Sequence, residues 1–129
     1  MYETNTELNV PYAEAMARVV DAITAEKLGI VSEVHVHGIM KKKMDKDIPP
    51  YSILGACAPD LAMQAIEAEP NVGALLPCNV VVRESGEGKT TVSFLKPESI
   101  LGLAKNSALD AVEKEAAQRI QKVFDRLAG

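Results

Sequence analysis

The chain has 129 residues, carries 14 Lys and Arg against 18 Asp and Glu, and contains only 4% aromatic residues. This length suits one domain over residues 1–129, with enough apolar side chains for a core that needs no metal or disulfide. The net charge of −4 and the few aromatic rings exclude a general nucleic-acid-binding protein, which uses a basic surface and stacking platforms.

The first half of the chain predicts a strand, a helix and two further strands. Residues 2–10 alternate between two faces, which is the period of a half-buried strand. After Pro11, apolar residues recur every three or four positions, as in a helix packed on one side. Residues 30–38 read as a second strand. A charged connection over 40–50, with room for one helical turn, leads to the apolar run 51–57, which predicts a buried strand.

The second half predicts a short helix, a β-hairpin and a long final helix. Pro59 starts a helix that ends before Pro70. Residues 79–84 and 90–95 are rich in β-formers and flank a Gly-containing turn, so they predict a hairpin. Asn106 or Ser107 caps the last helix. The order β-α-β-β-α-β-β-α indicates the α+β class, a mainly antiparallel twisted sheet with helices packed on it.

The segment Gly86-Glu87-Gly88-Lys89-Thr90 has the composition of part of a phosphate-binding loop. A full loop needs Gly five positions before Gly88, where this chain has Arg83, and it should lead into a helix. The residues that follow continue as a strand instead. We therefore expect an ordinary hairpin turn.

His35 and His37 are the only histidines, and in a strand they would share one face. Glu33 belongs to the same row, so these side chains are candidates for a metal site. Metal sites normally use three or four ligands, and the sequence supplies no distant partner. A polar sheet face or a dimer surface is the favoured interpretation.

Cys57 and Cys78 are the other candidate reactive groups. Cys57 precedes the helix that starts at Pro59, and the positive pole of that helix would lower the pKa of the thiol. Cys78 follows Pro77 at the start of the next strand, so both thiols can reach the same end of the sheet. The alternative is that both are small buried apolar groups, as free cysteines usually are.

The termini and the hydropathy predict a cytoplasmic protein. Residues 1–10 lack the basic and apolar regions of a secretory signal, and no apolar stretch is long enough to cross a membrane. In the reducing cytoplasm two cysteines stay free rather than form a disulfide. We therefore expect neither a membrane partner nor a nucleic-acid partner.

Two segments go beyond these patterns: YSILGACAP at residues 51–59 and LLPCNVVV at residues 75–82. They resemble the two signature segments of the family called domain of unknown function 302, and the resemblance extends over nearly the whole chain. It implies a curved antiparallel sheet with helices, and a dimer, but no established reaction. The family commonly has Asn where this chain has Ala58. As a helix N-cap, Ala costs roughly 0.5–2 kcal/mol, and any ligand contact made by that Asn is absent here.

Three functions remain open at this level. The first is a dimeric binding module with a small-molecule ligand near the two Cys segments, where Gly55 allows close approach and Asn79 provides polar recognition. The second is a thiol-based enzyme or a sulfur or redox carrier, with Cys57 as nucleophile and Cys78 as resolving thiol. The third is a structural or interaction domain. No cofactor is indicated. The candidate ligand-binding residues are Tyr51, Gly55, Cys57, Pro77, Cys78 and Asn79.

Overall fold

Five strands form one antiparallel sheet in the computed structural model, which describes residues 1–128. Their order across the sheet is β1-β5-β4-β3-β2, so the first and second strands along the chain are its two edges. The strands are β1 (Glu3–Leu8), β2 (Gly29–His35), β3 (Tyr51–Cys57), β4 (Cys78–Gly86) and β5 (Lys89–Leu95).

Helices connect the strands and cover one face of the sheet. The two longest helices pack against each other, and both contact the sheet. Three short 3-10 helices, at residues 72–75, 101–104 and 107–109, complete the structure. The α-helices are α1 (Tyr12–Ala25), α2 (Val36–Met44), α3 (Pro59–Ala68), α4 (Pro97–Ile100) and α5 (Asp110–Ala128). The predicted α+β class and the predicted order of strands and main helices are confirmed.

The core lies between this covered face and the helices and is almost wholly aliphatic. Alternate residues of β3, β4 and β5 point into it, because successive side chains of a strand face opposite sides. The one aromatic pair in it is Phe94 with Phe124, whose ring centroids lie 6.0 Å apart in an edge-to-face arrangement. Fully buried members from the sheet and from α1 are Leu54, Val80, Val82, Val92, Phe94, Ala15, Val19 and Ile23.

The opposite side of the sheet, which we call the open face, carries the intervening residues. The strand register places five of them in one row across all five strands: Asn5, Ser93, Val81, Ile53 and Val34. The row is polar toward β1 and apolar toward β2. Ile53 and Val81 are only half-buried on this side. The single chain therefore leaves apolar sheet surface accessible.

Strand β2 ends at His35, three residues earlier than the sequence predicts, and the chain then turns into α2. The physical reason is that the side chain of His37 makes the hydrogen bond to β3 that a further backbone residue of β2 would otherwise make. The imidazole of His37 accepts a hydrogen bond from the backbone N–H of Tyr51, and its Nδ1 also lies 3.1 Å from Tyr51 O. The prediction that His35 and His37 share one face of a strand is therefore wrong. Helix α2 also exceeds the single turn expected there.

Two other local predictions are confirmed. Strands β4 and β5 pair as a hairpin, and Gly88 in its turn has φ of 66°, a left-handed conformation that glycine adopts without strain. Asn106 caps the helical segment that leads into α5, because its side chain accepts a hydrogen bond from Ala108 N at 2.9 Å. Within residues 1–128, the helices are too short or too polar to span a bilayer.

Candidate functional site

Cys57 and Cys78 line one small cavity at the end of the sheet. Its volume is about 40 Å³. The antiparallel register pairs Ala56 with Cys78, the first residue of β4, so Cys57 lies one position along the chain from the partner of Cys78. The rest of the wall is aliphatic and comes from α3, α5, the 3-10 helix at residues 101–104 and the loops that precede β2, α3 and β4; it includes Leu28, Ala58, Leu61, Ala62, Ala65, Leu76, Leu101, Val112 and Ile120.

The chain builds this cavity by ending a strand and starting a helix within two residues. Pro59 occupies the first turn of α3, where its missing N–H would have no partner in any case. Ala58, at the N-cap, makes no side-chain hydrogen bond and is buried instead. This position therefore contributes an apolar wall to the cavity and not a polar group.

The pKa of each thiol lies above its ordinary value. Burial raises the pKa of Cys57, and the carboxylate of Asp60 raises it further. Burial also raises the pKa of Cys78, to about 11, with a smaller contribution from Cys57. The expectation that the helix would lower the pKa of Cys57 is thus wrong, because apolar walls and a nearby carboxylate outweigh the helix pole. Both cysteines are free thiols.

Asp60, in the first turn of α3, links this helix to α5 beside the cavity. Its two carboxylate oxygens accept hydrogen bonds from Arg119 at 3.0 and 2.8 Å. The same guanidinium donates to Glu115 at 3.2 Å. The hydrogen bond from Arg119 is the main reason that the pKa of Asp60 lies below its ordinary value. This bidentate pair holds α3 in position over the cavity.

Gly55 lies on the open face, directly under Pro77. A Cβ atom at this position would lie 2.6 Å from Cγ of Pro77 and would also overlap Ser32. The sequence predicted close approach of a ligand at Gly55, but Pro77 and Ser32 occupy that space. Gly55 allows Pro77 to pack closely on β3, and Pro77 in turn lines the cavity.

Tyr51 and Asn79 lie away from the cavity. Both line a wide groove of about 490 Å³ on the open face, together with Asn5, Val81 and Arg83. The six predicted ligand-binding residues thus divide between two places: Cys57, Pro77 and Cys78 at the cavity, with Gly55 beneath Pro77, and Tyr51 and Asn79 in the groove.

A polar cluster on the covered face was not found from the sequence. Ser52 is fully buried, and its hydroxyl is hydrogen-bonded to Tyr12 OH and, at 2.9 Å, to Nδ1 of His35. Nε2 of His35 lies 3.1 Å from a carboxylate oxygen of Glu33. One signal was available: Ser52 is the only polar side chain in the otherwise apolar run 52–57. A buried hydroxyl needs partners, and these come from α1 and β2.

The arrangement of the histidines does not favour the metal site considered from the sequence. Both ring nitrogens of His35 already face Ser52 and Glu33, and Nδ1 of His37 is occupied by Tyr51. Residues 1–128 contain no cluster of three His, Cys, Asp or Glu side chains able to hold a metal ion. The ring of His37 instead contacts the rings of His35 and Tyr12, with centroid distances of 5.7 and 6.1 Å.

Comparison with known proteins gives a family and a fold. The profile of the family described as "Domain of unknown function DUF302" matches residues 4–127. The crystal structure of the "uncharacterized conserved protein DUF302 from Bacillus stearothermophilus" is 24% identical to this chain and superposes with a TM-score of 0.87. The alignment covers 98% of each chain. No curated protein matches this sequence.

Proposed function

Because this chain belongs to the DUF302 family, whose description names no reaction, we propose from the cavity itself that it is a homodimeric binding module for a small apolar ligand. The observation that carries this proposal is that Cys57 and Cys78 line one cavity although they are far apart in the sequence. The two thiols are the polarisable groups in an otherwise aliphatic wall.

The walls restrict the chemistry of the ligand. A charged or strongly polar molecule would lose its hydration without gaining partners among Leu, Ala, Val and Ile side chains, which costs several kcal/mol. A cavity of about 40 Å³ is roughly a quarter of the about 150 Å³ engineered cavity that holds benzene. The ligand is therefore a neutral molecule of about two to four heavy atoms, and a sulfur atom would contact the thiols favourably.

The homodimer is proposed to form through the open face. Five strands spaced about 4.8 Å apart and about 20 Å long give each copy a face of about 500 Å². Two such faces together bury about 1,000 Å², the lower bound for a specific interface. Half-buried Ile53 and Val81 at the centre would be covered by the second copy. Tyr51 and Asn79 would then contribute to the dimer contact.

The ligand site is tested with dimethyl sulfide and xenon as probes. We expect either probe to raise the melting temperature and to shift the NMR signals of residues around Cys57 and Cys78. Ala62→Leu fills the cavity wall and should abolish both effects, whereas Ala17→Leu on the exposed side of α1 should leave them unchanged. Equal responses in the two variants, or no response in the native protein, would contradict the site.

The dimer is tested by sedimentation equilibrium. We expect the native protein to sediment as a dimer at micromolar concentration and Val81→Lys, at the centre of the open face, to sediment as a monomer. Gln118→Lys, an exposed position on α5, is the matched control and should remain dimeric. A monomeric native protein, or a dimeric Val81→Lys variant, would contradict an open-face dimer.

Thiol chemistry is the second candidate, because two free thiols line the same cavity. The raised pKa values of both groups weigh against it, because the thiolate is the reactive form. The rate of alkylation against pH separates the two functions. A fast thiol with an apparent pKa below about 8.5 would support thiol chemistry. If the thiols react only after unfolding and no probe binds the cavity, the remaining interpretation is a structural or interaction domain.

A further inference from the structure

The polar cluster at Ser52 has the arrangement of an activated hydroxyl nucleophile. In such sites a hydroxyl, a histidine base and a third group that orients the base lie in hydrogen-bond sequence. Here Ser52 Oγ is 2.9 Å from His35 Nδ1, and His35 Nε2 is 3.1 Å from Glu33. The cluster has one additional member, Tyr12, whose hydroxyl is bonded to Ser52. It lies apart from the cavity at the two cysteines.

Glu33, at one end of this series of hydrogen bonds, determines which group donates and which accepts in each of them. An ionised Glu33 can only accept, so a neutral His35, the form that can act as a base, carries its proton on Nε2 and presents a lone pair at Nδ1. Ser52 then donates its proton to Nδ1, and its oxygen accepts the proton of Tyr12. The hydrogen-bond sequence therefore runs from the phenol toward the carboxylate, and the oxygen of Tyr12 keeps its free lone pairs.

Ser52 cannot itself meet a substrate, because its side chain is fully buried. Tyr12, at the first position of α1, is half-buried and therefore more exposed than Ser52. We propose that Tyr12 is a nucleophile that accepts acyl groups from small activated esters, with Ser52 and His35 as its proton relay and Glu33 as the group that orients His35. This activity is separate from the proposed binding function.

The acyl transfer balances without any further reagent. The oxygen of Tyr12 forms a bond to the acyl carbon of the ester while its proton moves to Ser52 Oγ. Ser52 passes its own proton to Nδ1 of His35, and the resulting imidazolium is stabilised by Glu33. The bond between the acyl carbon and the alkoxide oxygen breaks, and its electron pair leaves with that oxygen. The alkoxide takes one proton from the relay as it returns to its starting state.

The experiment uses p-nitrophenyl acetate and compares three tyrosines in one molecule. Peptide mapping after a short reaction gives the acetylation rates of Tyr2, Tyr12 and Tyr51 separately. Tyr2 is far more exposed than Tyr12, so accessibility alone predicts that Tyr2 reacts first. We expect Tyr12 to react at least ten times faster than Tyr2. General-base assistance commonly contributes about 10² to 10⁴, which makes tenfold a low threshold.

The variants separate a relay from a structural role. Glu33→Gln is at a half-exposed position, and it should slow acetylation of Tyr12 at least tenfold without changing the rates at Tyr2 and Tyr51. Glu67→Gln, an exposed carboxylate on α3, is the matched control and should change none of the three rates. Ser52→Ala should lower the acetylation rate of Tyr12 in the same way, and Ser52→Thr, which keeps a hydroxyl, should restore that rate.

Two results would overturn the proposal. One is a rate at Tyr12 no higher than that at Tyr2 in the native protein. The other is an unchanged Tyr12 rate in Glu33→Gln. Tyr2 and Tyr51 are measured in the same molecules, so a variant that unfolds is recognised by equal acetylation rates at all three tyrosines. If the Ser52 variants unfold, Glu33→Gln, at a half-exposed position, provides the test of the relay.

Discussion

His37 accepts a hydrogen bond from the backbone N–H of Tyr51, with 3.0 Å between Nδ1 and N. A side chain thus makes the contact that a further residue of β2 would have made with β3. The edge strand can end at His35 without leaving the first N–H of β3 unpaired. This one imidazole explains why the chain turns into α2 where the alternation of residues predicted that the strand would continue.

Replacing His37 by Ala should destabilise the protein by about 1 kcal/mol, since a hydrogen bond to a strand terminus is lost. His37→Asn should recover most of this loss, because its side-chain oxygen can accept from Tyr51 at a similar distance. Urea unfolding gives the free energies, and amide hydrogen exchange at Tyr51 locates the effect. Equal exchange rates at Tyr51 in the Ala variant and the native protein would show that the contact is not formed in solution.

Gly55→Ala should cost about 1–3 kcal/mol. The added methyl group would overlap Ser32 and lie 2.6 Å from Cγ of Pro77, so Ser32, Pro77 or β3 must move. Gly73→Ala is the control, because a Cβ at Gly73 meets no atom within 4 Å. Thermal or urea unfolding measures both variants. If both lose the same stability, the loss reflects glycine replacement in general and not the contact with Pro77.

Stability should fall at alkaline pH because of Cys78. Burial raises the pKa of this thiol from 9.0 to about 11, while the unfolded chain keeps the ordinary value. Between about pH 9 and pH 11 the unfolded chain binds fewer protons than the native one, so the free energy of unfolding decreases as pH rises. Over this range the loss should be about 2–3 kcal/mol.

The alkaline effect is isolated by comparing variants. Cys78→Ala should show a shallower decrease than the native protein in urea unfolding from pH 8.5 to pH 11, because the titrating group is gone. Cys57→Ala should keep most of the native decrease. Parallel curves for the native protein and Cys78→Ala would mean that Cys78 titrates alike in the folded and unfolded states.

The pair of Asp60 and Arg119 should make stability sensitive to acid. The hydrogen bond from Arg119 lowers the pKa of Asp60 below 3.8, so the folded state keeps this carboxylate ionised longer than the unfolded chain does. The contribution is therefore present above about pH 4 and is lost as pH falls through the folded pKa. Asp60→Asn should be less stable than the native protein at pH 7, with a difference that shrinks toward pH 2.

Asp110→Asn is the matched control for this acid effect. Asp110 also lies in a first helical turn, at the start of α5, so both substitutions remove the same favourable charge at a helix N-terminus. Urea midpoints at pH 7 and at low pH compare the two variants. If Asp110→Asn loses as much stability as Asp60→Asn, the helix charge and not the Arg119 pair explains the effect.

The helices, strands and turns whose formation depends on residues close together in the chain can be predicted from the sequence. Period-two alternation, spaced apolar residues, Pro59 at a helix start and a Gly-containing turn act within a few positions, and the structure has β1, α3 and the β4–β5 hairpin as predicted. The end of β2 did not follow, because it depends on a contact between His37 and Tyr51, fourteen positions apart. Local propensity does not contain such a contact.

The sequence by itself determined the α+β class, the order of the main elements and the proximity of the two Cys segments, because these result from hydrophobic periodicity, turn residues and antiparallel pairing of successive strands. Only the tertiary structure decided the environment of each side chain. The apolar walls from α3 and α5 raise the pKa of the Cys57 and Cys78 thiols, and the packing of α1 on the sheet brings Tyr12 to Ser52. Burial and electrostatics sum over residues distant in sequence, so no local pattern encodes them.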